Sequence, residues 1–332
     1  MKSFALAALM GAVATAMETA PIWEFFDYLA RHNKQYTSDA ELNLRYIRWA
    51  EIDEHIKNHN ASGSMYRAGH NKFSDWSFAE YKALMGYRKG PEAPVKEVAV
   101  FEPANSDGIN WIDLGGVTPI KDQGNCGSCW AFSTTGSLEG AHFAATGKLL
   151  SFSEQQLVDC AGRKEGYQNQ GCQGGMQEWA YAYYEDGNKA ELESVYPYQS
   201  GTSMRKGTCM YDSTSATAVT VSDYAEVTAN NESQMKAALA TQPLAVAIEA
   251  DKMVFQTYKN GVLDSSKCGT SLDHAVLVVG FGNDAASGLD YWLVKNSWNT
   301  TWGDNGYIKL AAQADGAGIC GVQMEPLTVA TN

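Results

Sequence analysis

The 332-residue sequence predicts an α+β protein built from a helical front piece and a larger body, and three observations carry that reading. Residues 22–57 hold few turn-formers and repeat Trp49, Ile52 and Ile56 at the spacing of one helical stripe. All seven cysteines lie after this piece, from Cys126 to Cys320. Within the body, glycine-punctuated, helix-compatible sequence runs to Asp212 and then gives way to β-branched and aromatic runs.

Taken in order, residues 1–16 combine Lys2, an apolar run from Phe4 to Val13 and the small residues Ala14-Thr15-Ala16, which reads as a secretory signal peptide. No later stretch approaches ~18 uninterrupted apolar residues, so no membrane span is expected. Residues 17–104 form the helical piece and a linker marked by Gly90-Pro-Glu-Ala-Pro94 and Glu102-Pro-Ala-Asn-Ser-Asp-Gly108, a composition that suits proteolysis. A cysteine-free front and a disulfide-bearing body, 105–332, fit a removable pro-region. In the body a helical half spans about 112–215 and a β half about 216–330. Ser128 to Thr146 suits a helix with a narrow face of Ser133, Gly136, Ser137, Gly140 and Ala144. Strands are expected at 217–221, 244–249, 274–281 and 291–298. A hairpin centred on Gly282–Gly288 pairs residues summing to about 570, which sets His274 opposite Asn296, within reach of its amide.

Charge is uneven. Residues 105–332 hold 13 Lys/Arg against 25 Asp/Glu, which argues against nucleic acid or an anionic membrane as partner.

The chemistry concentrates in Gln123-Gly-Asn-Cys-Gly-Ser-Cys-Trp-Ala-Phe-Ser133, where Cys126 precedes the helix and Cys129 opens it. A helix N-terminus lowers a thiol's pKa. Three readings stand side by side: a redox Cys-x-x-Cys pair, a hydrolase in which Cys129 attacks a carbonyl, and structural or inert thiols. A secreted chain with seven cysteines leaves one unpaired, a candidate reactive thiol. After residue 104 only His142 and His274 offer an imidazole. His142 sits thirteen residues along the same helix, roughly 20 Å from Cys129. His274 is therefore the candidate base, with Asn296 to orient it.

These residues, with Ser153-Glu-Gln-Gln-Leu-Val-Asp-Cys160, Gly171-Cys-Gln-Gly-Gly175, Asp273-His-Ala275 and Asn296-Ser-Trp-Asn-Thr-Thr-Trp-Gly303, resemble the papain-like cysteine proteases, nearest their cathepsin L-like branch. The front piece is similar to that family's inhibitory prodomain: Glu41, Arg45, Trp49, Ile52, Ile56 and Asn60 follow one motif, with Trp49 for phenylalanine and Ile52 for asparagine. Gly69-His-Asn-Lys-Phe-Ser-Asp75 fits the second.

The resemblance implies a two-domain papain-like fold, a helical left domain against an antiparallel β-barrel-like right domain, behind a prodomain whose tail crosses the cleft in the non-productive direction. It implies Cys129 as nucleophile, His274 as acid and base, Asn296 as orienter, Trp298 as cover, and Gln123 with the Cys129 N–H as oxyanion donors. It implies disulfides Cys126–Cys172, Cys160–Cys209 and Cys268–Cys320, a pairing that leaves Cys129 free and removes the redox reading. Substrate would lie on Gly174 and Gly175. The side chain two before the scissile bond (P2) would enter a pocket of Met176, Ala247, Leu272 and Ala275 with Glu325 at its floor, which suits hydrophobic residues and Arg. Expected partners are peptide and protein substrates, the chain's own prodomain and cystatin-type inhibitors, with no metal or cofactor, acting as a monomer in a lysosome, a vacuole or the exterior.

The chain departs from the family pattern at Asn299, which replaces a usual glycine and starts a glycosylation sequon, as Asn60 and Asn231 do. The mature N-terminus lacks the usual proline and aspartate. The body's two histidines leave none for the loop of exopeptidase variants, so endopeptidase action is expected. The alternative from another class is a non-enzymatic inhibitor or scaffold, against which the intact Cys129, His274, Asn296 and Gln123 argue.

Overall fold

A computed structural model describes residues 21–90, 96–103 and 107–332. The signal-peptide reading lies outside the described residues, as do 91–95 and 104–106 of the linker. No helix among the described residues is long and apolar enough to cross a membrane.

The front piece holds α1 (Ile22–Arg31), α2 (Asp39–Ala61), β1 (Tyr66–Ala68), α3 (Phe78–Lys82) and β2 (Val98–Ala99). The body follows with β3 (Ile109–Asn110), α4 (Cys129–Thr146), α5 (Glu154–Cys160), α6 (Gln177–Glu185), α7 (Ser200–Ser203), β4 (Val221–Val227), α8 (Glu232–Leu239), β5 (Leu244–Ile248), α9 (Met253–Gln256), β6 (Tyr258–Leu263), β7 (His274–Asp284), β8 (Leu289–Lys295), β9 (Tyr307–Ala311) and β10 (Leu327–Thr331). Ser38 caps α2 and Ser77 with Glu80 forms a capping box on α3. Gly147, with φ 72°, closes α4 in the left-handed conformation that glycine adopts without strain.

The strands run in the order β1-β6-β9-β8-β7-β5-β10-β4-β2, with β3 added to β7. Both ends of this order are strands of the front piece: β1 pairs antiparallel with β6 and β2 parallel with β4. The period of two along β5 divides two cores. Leu244, Val246 and Ile248 face one, with Phe255, Trp292, Trp298 and Trp302; Ala245 and Ala247 face the other, with Cys129, Trp130, Tyr181 and Tyr184. Tyr66, Phe73, Tyr81, Leu84 and Met85 of the front piece belong to the first core, so this piece is built into the body's apolar interior.

Three sequence expectations are corrected. The strand placed at 217–221 begins only at Val221. The division near residue 216 does not divide the cores: β4 and β10 carry Val221, Tyr224, Leu327 and Val329 back into the helical half's core. The β7–β8 hairpin pairs Leu277 with Lys295 and Phe281 with Trp292, not residues summing to 570. Pairing continues into the expected loop as far as Asp284 opposite Leu289, and a bulge between Val278 and Gly280 shifts the register once more.

Candidate active site

Helix α4 begins at Cys129, the one free cysteine among the described residues, and it is buried. Cys126 bonds Cys172, Cys160 bonds Cys209 and Cys268 bonds Cys320. The first bridge fixes the loop ahead of the helix, so the Cys129 sulfur is held where α4 aims its unpaired N–H groups. Strand β7 crosses this point, and the Ala275 N–H donates to Cys129 Sγ at 3.4 Å.

His274 precedes Ala275 and pairs with Ile248 of β5. Its Nε2 lies 2.9 Å from Asn296 Oδ1, an oxygen that also accepts the Ser297 N–H at 2.8 Å. An acceptor facing Nε2 places the proton there and leaves the Nδ1 lone pair free to act as base. The Trp298 indole stacks on the imidazole with ring centroids 4.7 Å apart, and it is fully buried. Although the hairpin register differs from expectation, the His274–Asn296 contact forms, because both residues lie just beyond the paired ladder and their side chains converge.

Gln123 is locked at both ends of its amide. Oε1 accepts from Ser297 Oγ at 2.7 Å and Trp298 Nε1 at 3.1 Å; Nε2 donates to the Cys126 carbonyl at 2.9 Å and to the Leu84 carbonyl of the front piece at 3.0 Å. The Gln123 backbone is tied as well. Tyr198 Oη donates to its carbonyl at 2.9 Å and lies 2.6 Å from Ser128 Oγ, the residue before α4.

The front piece covers this site. Tyr87 pairs with Gly175 in a parallel bridge: Gly175 N–H donates to the Gly86 carbonyl and Arg88 N–H to the Gly175 carbonyl, both at 2.9 Å. Tyr87 N–H donates to the Asp273 carbonyl at 2.9 Å. The passage is tight: a Cβ on Gly86 would lie 1.9 Å from the Gly127 carbonyl oxygen. Under this cover, burial pushes the Cys129 thiol up to about 11 against the opposing N–H groups of Ala275 and Gly86. Burial likewise pushes His274 down to about 4, against the Asn296 hydrogen bond. The covered pair is therefore neutral.

Tyr87 belongs to the same buried apolar cluster as Met176, Ala247 and Ala275, against which Leu272 packs, and its hydroxyl meets Glu325. Lys89 pairs with the same carboxylate. Glu178 lies in the same electrostatic neighbourhood, half-buried, with a buried Oε2 that has no hydrogen-bond partner. Burial, then the carboxylates of Glu325 and Glu226, push it up to about 7. The elements above the site are pinned electrostatically: Lys72 pairs with Asp122 at 2.8 Å and Lys82 with Asp251 at 2.9 Å. Phe73 and Tyr81 meet Trp298 edge-on, at 5.2 and 5.7 Å.

Residues 105–330 match the family model described as papain family cysteine protease, and residues 25–81 match the cathepsin propeptide inhibitor domain. The chain is a papain-family cysteine protease. The protease is 43% identical over 301 residues to digestive cysteine proteinase 1 of Homarus americanus, an alignment covering 88% of this chain and 89% of that one. It is 39% identical over 337 residues to cathepsin L of Sarcophaga peregrina, covering 96% of each. Its fold is similar to that of digestive procathepsin L2 from Tenebrio molitor larval midgut, with a TM-score of 0.84 and 32% identity over 93% of this chain and 99% of that one. It is thus a cathepsin L-like protease that carries its own propeptide.

Several residues of the protease escaped the sequence reading. Glu41 and Arg45 were read as one motif, yet the guanidinium of Arg45 makes its close contacts to Glu80, at 2.6 and 2.7 Å, with Glu41 at 3.5 Å. Tyr87, Glu178 and Tyr198 carry no local pattern that points to the cleft. Asn299 adopts φ 66°, the left-handed region, which explains why a position usually held by glycine tolerates asparagine.

Proposed function

We propose that the processed chain, residues 105–332, is a cysteine endopeptidase kept inactive by residues 17–104 and delivered by the signal at 1–16 through the secretory pathway to a lysosome-like or vacuolar compartment or to the exterior. The observation that carries this reading is the Gln123 amide donating to a peptide carbonyl, Leu84, over a free Cys129 beside the His274–Asn296 pair.

On release of the propeptide, water reaches the pair, the Cys129 proton passes to His274 Nδ1, and the α4 N-terminus stabilises the thiolate. The thiolate attacks the scissile carbonyl carbon. A C–S bond forms, and the carbonyl electron pair moves to oxygen, stabilised by Gln123 Nε2 and the Cys129 N–H. His274 returns its proton to the leaving nitrogen as the C–N bond breaks, then takes one from water, whose oxygen attacks the acyl carbon; the C–S bond breaks, the carboxyl product leaves, and Cys129 returns as the thiolate beside the His274 imidazolium. Asn296 holds the ring in the required tautomer throughout, and Trp298 shields that hydrogen bond.

Substrate would pair with Gly174 and Gly175 in the direction opposite to the propeptide. Tyr87, which shares a buried apolar cluster with Met176, Ala247, Leu272 and Ala275 and sets its hydroxyl on Glu325, supports a P2 pocket that takes hydrophobic side chains and Arg. The decisive experiment is labelling of the acid-processed protein with a peptidyl epoxide, followed by mapping. Labelling of Cys129 that is lost in Cys129→Ala and His274→Ala is expected. An unlabelled processed chain would favour a non-enzymatic inhibitor.

A further inference from the structure

Past the cleft, the propeptide does not simply trail away; residues 96–101 bind the body at three points. The Lys96 ammonium pairs with Glu185 of α6, lies 3.2 Å from Asp223 of β4, and sits 4.8 Å from the Tyr224 ring centroid. Val98 and Ala99 pair with Glu226 and Val227. At Phe101 the ladder is extended by a side chain: Gln234 of α8 accepts the Phe101 N–H with Oε1 at 2.8 Å and donates Nε2 to the Phe101 carbonyl at 2.9 Å. That amide plays the part of a strand residue, while the Phe101 ring packs, partly buried, on the first core.

These contacts belong to the part of the chain that leaves. β2 covers only the Glu226–Val227 end of this edge of β4, and its removal leaves the edge unpaired along its whole length, since among the described residues no other strand pairs there. An open edge attracts any extended chain. This edge is not neutral toward what it attracts. It carries Asp223 and Glu226, with Glu185 alongside, so a second copy docking by the same edge would bring like charges together. A lysine-bearing peptide meets the opposite sign. The edge also adjoins the cleft: Glu226 pairs with Leu327 of β10, two residues after Glu325.

We propose that the β4 edge of the processed protease, with Gln234, Glu185 and Asp223, is a peptide-binding exosite for an extended segment carrying a lysine and, five residues later, an aromatic side chain. The backbone docks by β-addition, Gln234 holds the main chain of the aromatic residue, and the acidic pair over Tyr224 selects the lysine. In the unprocessed chain residues 96–101 occupy this site.

The test uses processed enzyme shown by N-terminal sequencing to lack residues 96–103 and blocked at Cys129 with an epoxide. Its probe is the fluorescent peptide Lys-Glu-Val-Ala-Val-Phe-Glu-Pro. Saturable binding is expected, weakened about tenfold or more by Gln234→Ala or by alanine in place of the peptide's phenylalanine. The unblocked Gln234→Ala enzyme should hydrolyse a short fluorogenic peptide at the wild-type rate. In the unprocessed Cys129→Ala chain, Gln234→Ala should make the linker several-fold more susceptible to an added protease. No saturable binding, binding indifferent to Gln234, a linker cut equally fast with and without Gln234, or a β4-edge dimer of the processed enzyme would each overturn the proposal.

Discussion

The Gln123 side-chain amide donates to the Leu84 carbonyl oxygen at 3.0 Å, so the propeptide already presents a peptide carbonyl to the candidate oxyanion donor. Four hydrogen bonds hold this amide, which can neither flip nor swing aside to suit a ligand. The propeptide and a substrate would therefore compete for the same fixed donor. Gln123→Ala should lower kcat of the processed enzyme by about 10²–10³ with little change in KM. Steady-state kinetics on a short peptide checks this, and a change confined to KM would remove Gln123 from the transition state.

At Gly86 the propeptide backbone passes close against the Gly127 backbone. Because a Cβ there would lie 1.9 Å from the Gly127 carbonyl oxygen, backbone has to move if alanine is introduced. Gly86→Ala should yield an unprocessed chain whose Cys129 reacts with an active-site probe. The processed enzyme should be normal, because it no longer contains residue 86. A Gly86→Ala precursor as inert as the wild type would show that this passage does not seal the cleft.

The pH dependence of opening follows from buried groups with opposite signs. In a Cys129→Ala chain, where no thiolate pairs with the ring, burial holds His274 at about 4 when covered, below its solvated value, so an opened site binds more protons in acid and the covered state is lost as pH falls from about 6.5 to 4. Asp251 acts in the same sense through Lys82 alone, because Lys252 stays with the body: burial raises it, Lys252 and Lys82 outweigh burial and hold it below the usual carboxylate range, and the Lys82 share is lost in acid. Asp273 opposes both, since burial pushes it up to about 7 and the covered state gains from its proton. Asp273→Asn in a Cys129→Ala background should therefore steepen the rise in propeptide digestion as pH falls. A flatter profile would contradict these signs.

Specificity at P2 should depend on two carboxylates. Glu325 meets both Tyr87 and Lys89, and Glu178 adds a buried, unpartnered oxygen nearby. Glu325→Ala and Glu178→Gln should each lower kcat/KM for Arg-Arg peptides about tenfold or more, with Phe-Arg peptides changing about twofold or less. Equal loss on both substrates would place these residues in folding rather than selection.

The sequence made the chemistry legible where chemistry is local. The helix opening at Cys129, the small face of α4 and the long β7–β8 hairpin all follow from residue pattern. The His274–Asn296 contact was reached through an approximate register, because strand alternation does not reveal the bulge near Val279 or how far pairing enters a turn. Tyr87, Glu178 and Gln234 were not legible. Each acquires its role from a partner on another element, as Tyr87 does from Glu325 and Gln234 from Phe101, and no period or motif encodes such meetings.

The central claim is that one neutral, covered thiol becomes the reactive thiolate when the propeptide leaves. It is tested most directly by the rate of Cys129 alkylation by iodoacetamide between roughly pH 4 and pH 9, before and after processing. The account predicts a precursor that reacts very slowly near neutral pH, and faster only where acid opens the cover or alkali ionises the buried thiol, and a processed enzyme that reacts rapidly across a broad plateau reaching into acid. Matching profiles for the two forms, or a processed enzyme whose thiol reacts only at alkaline pH, would contradict it.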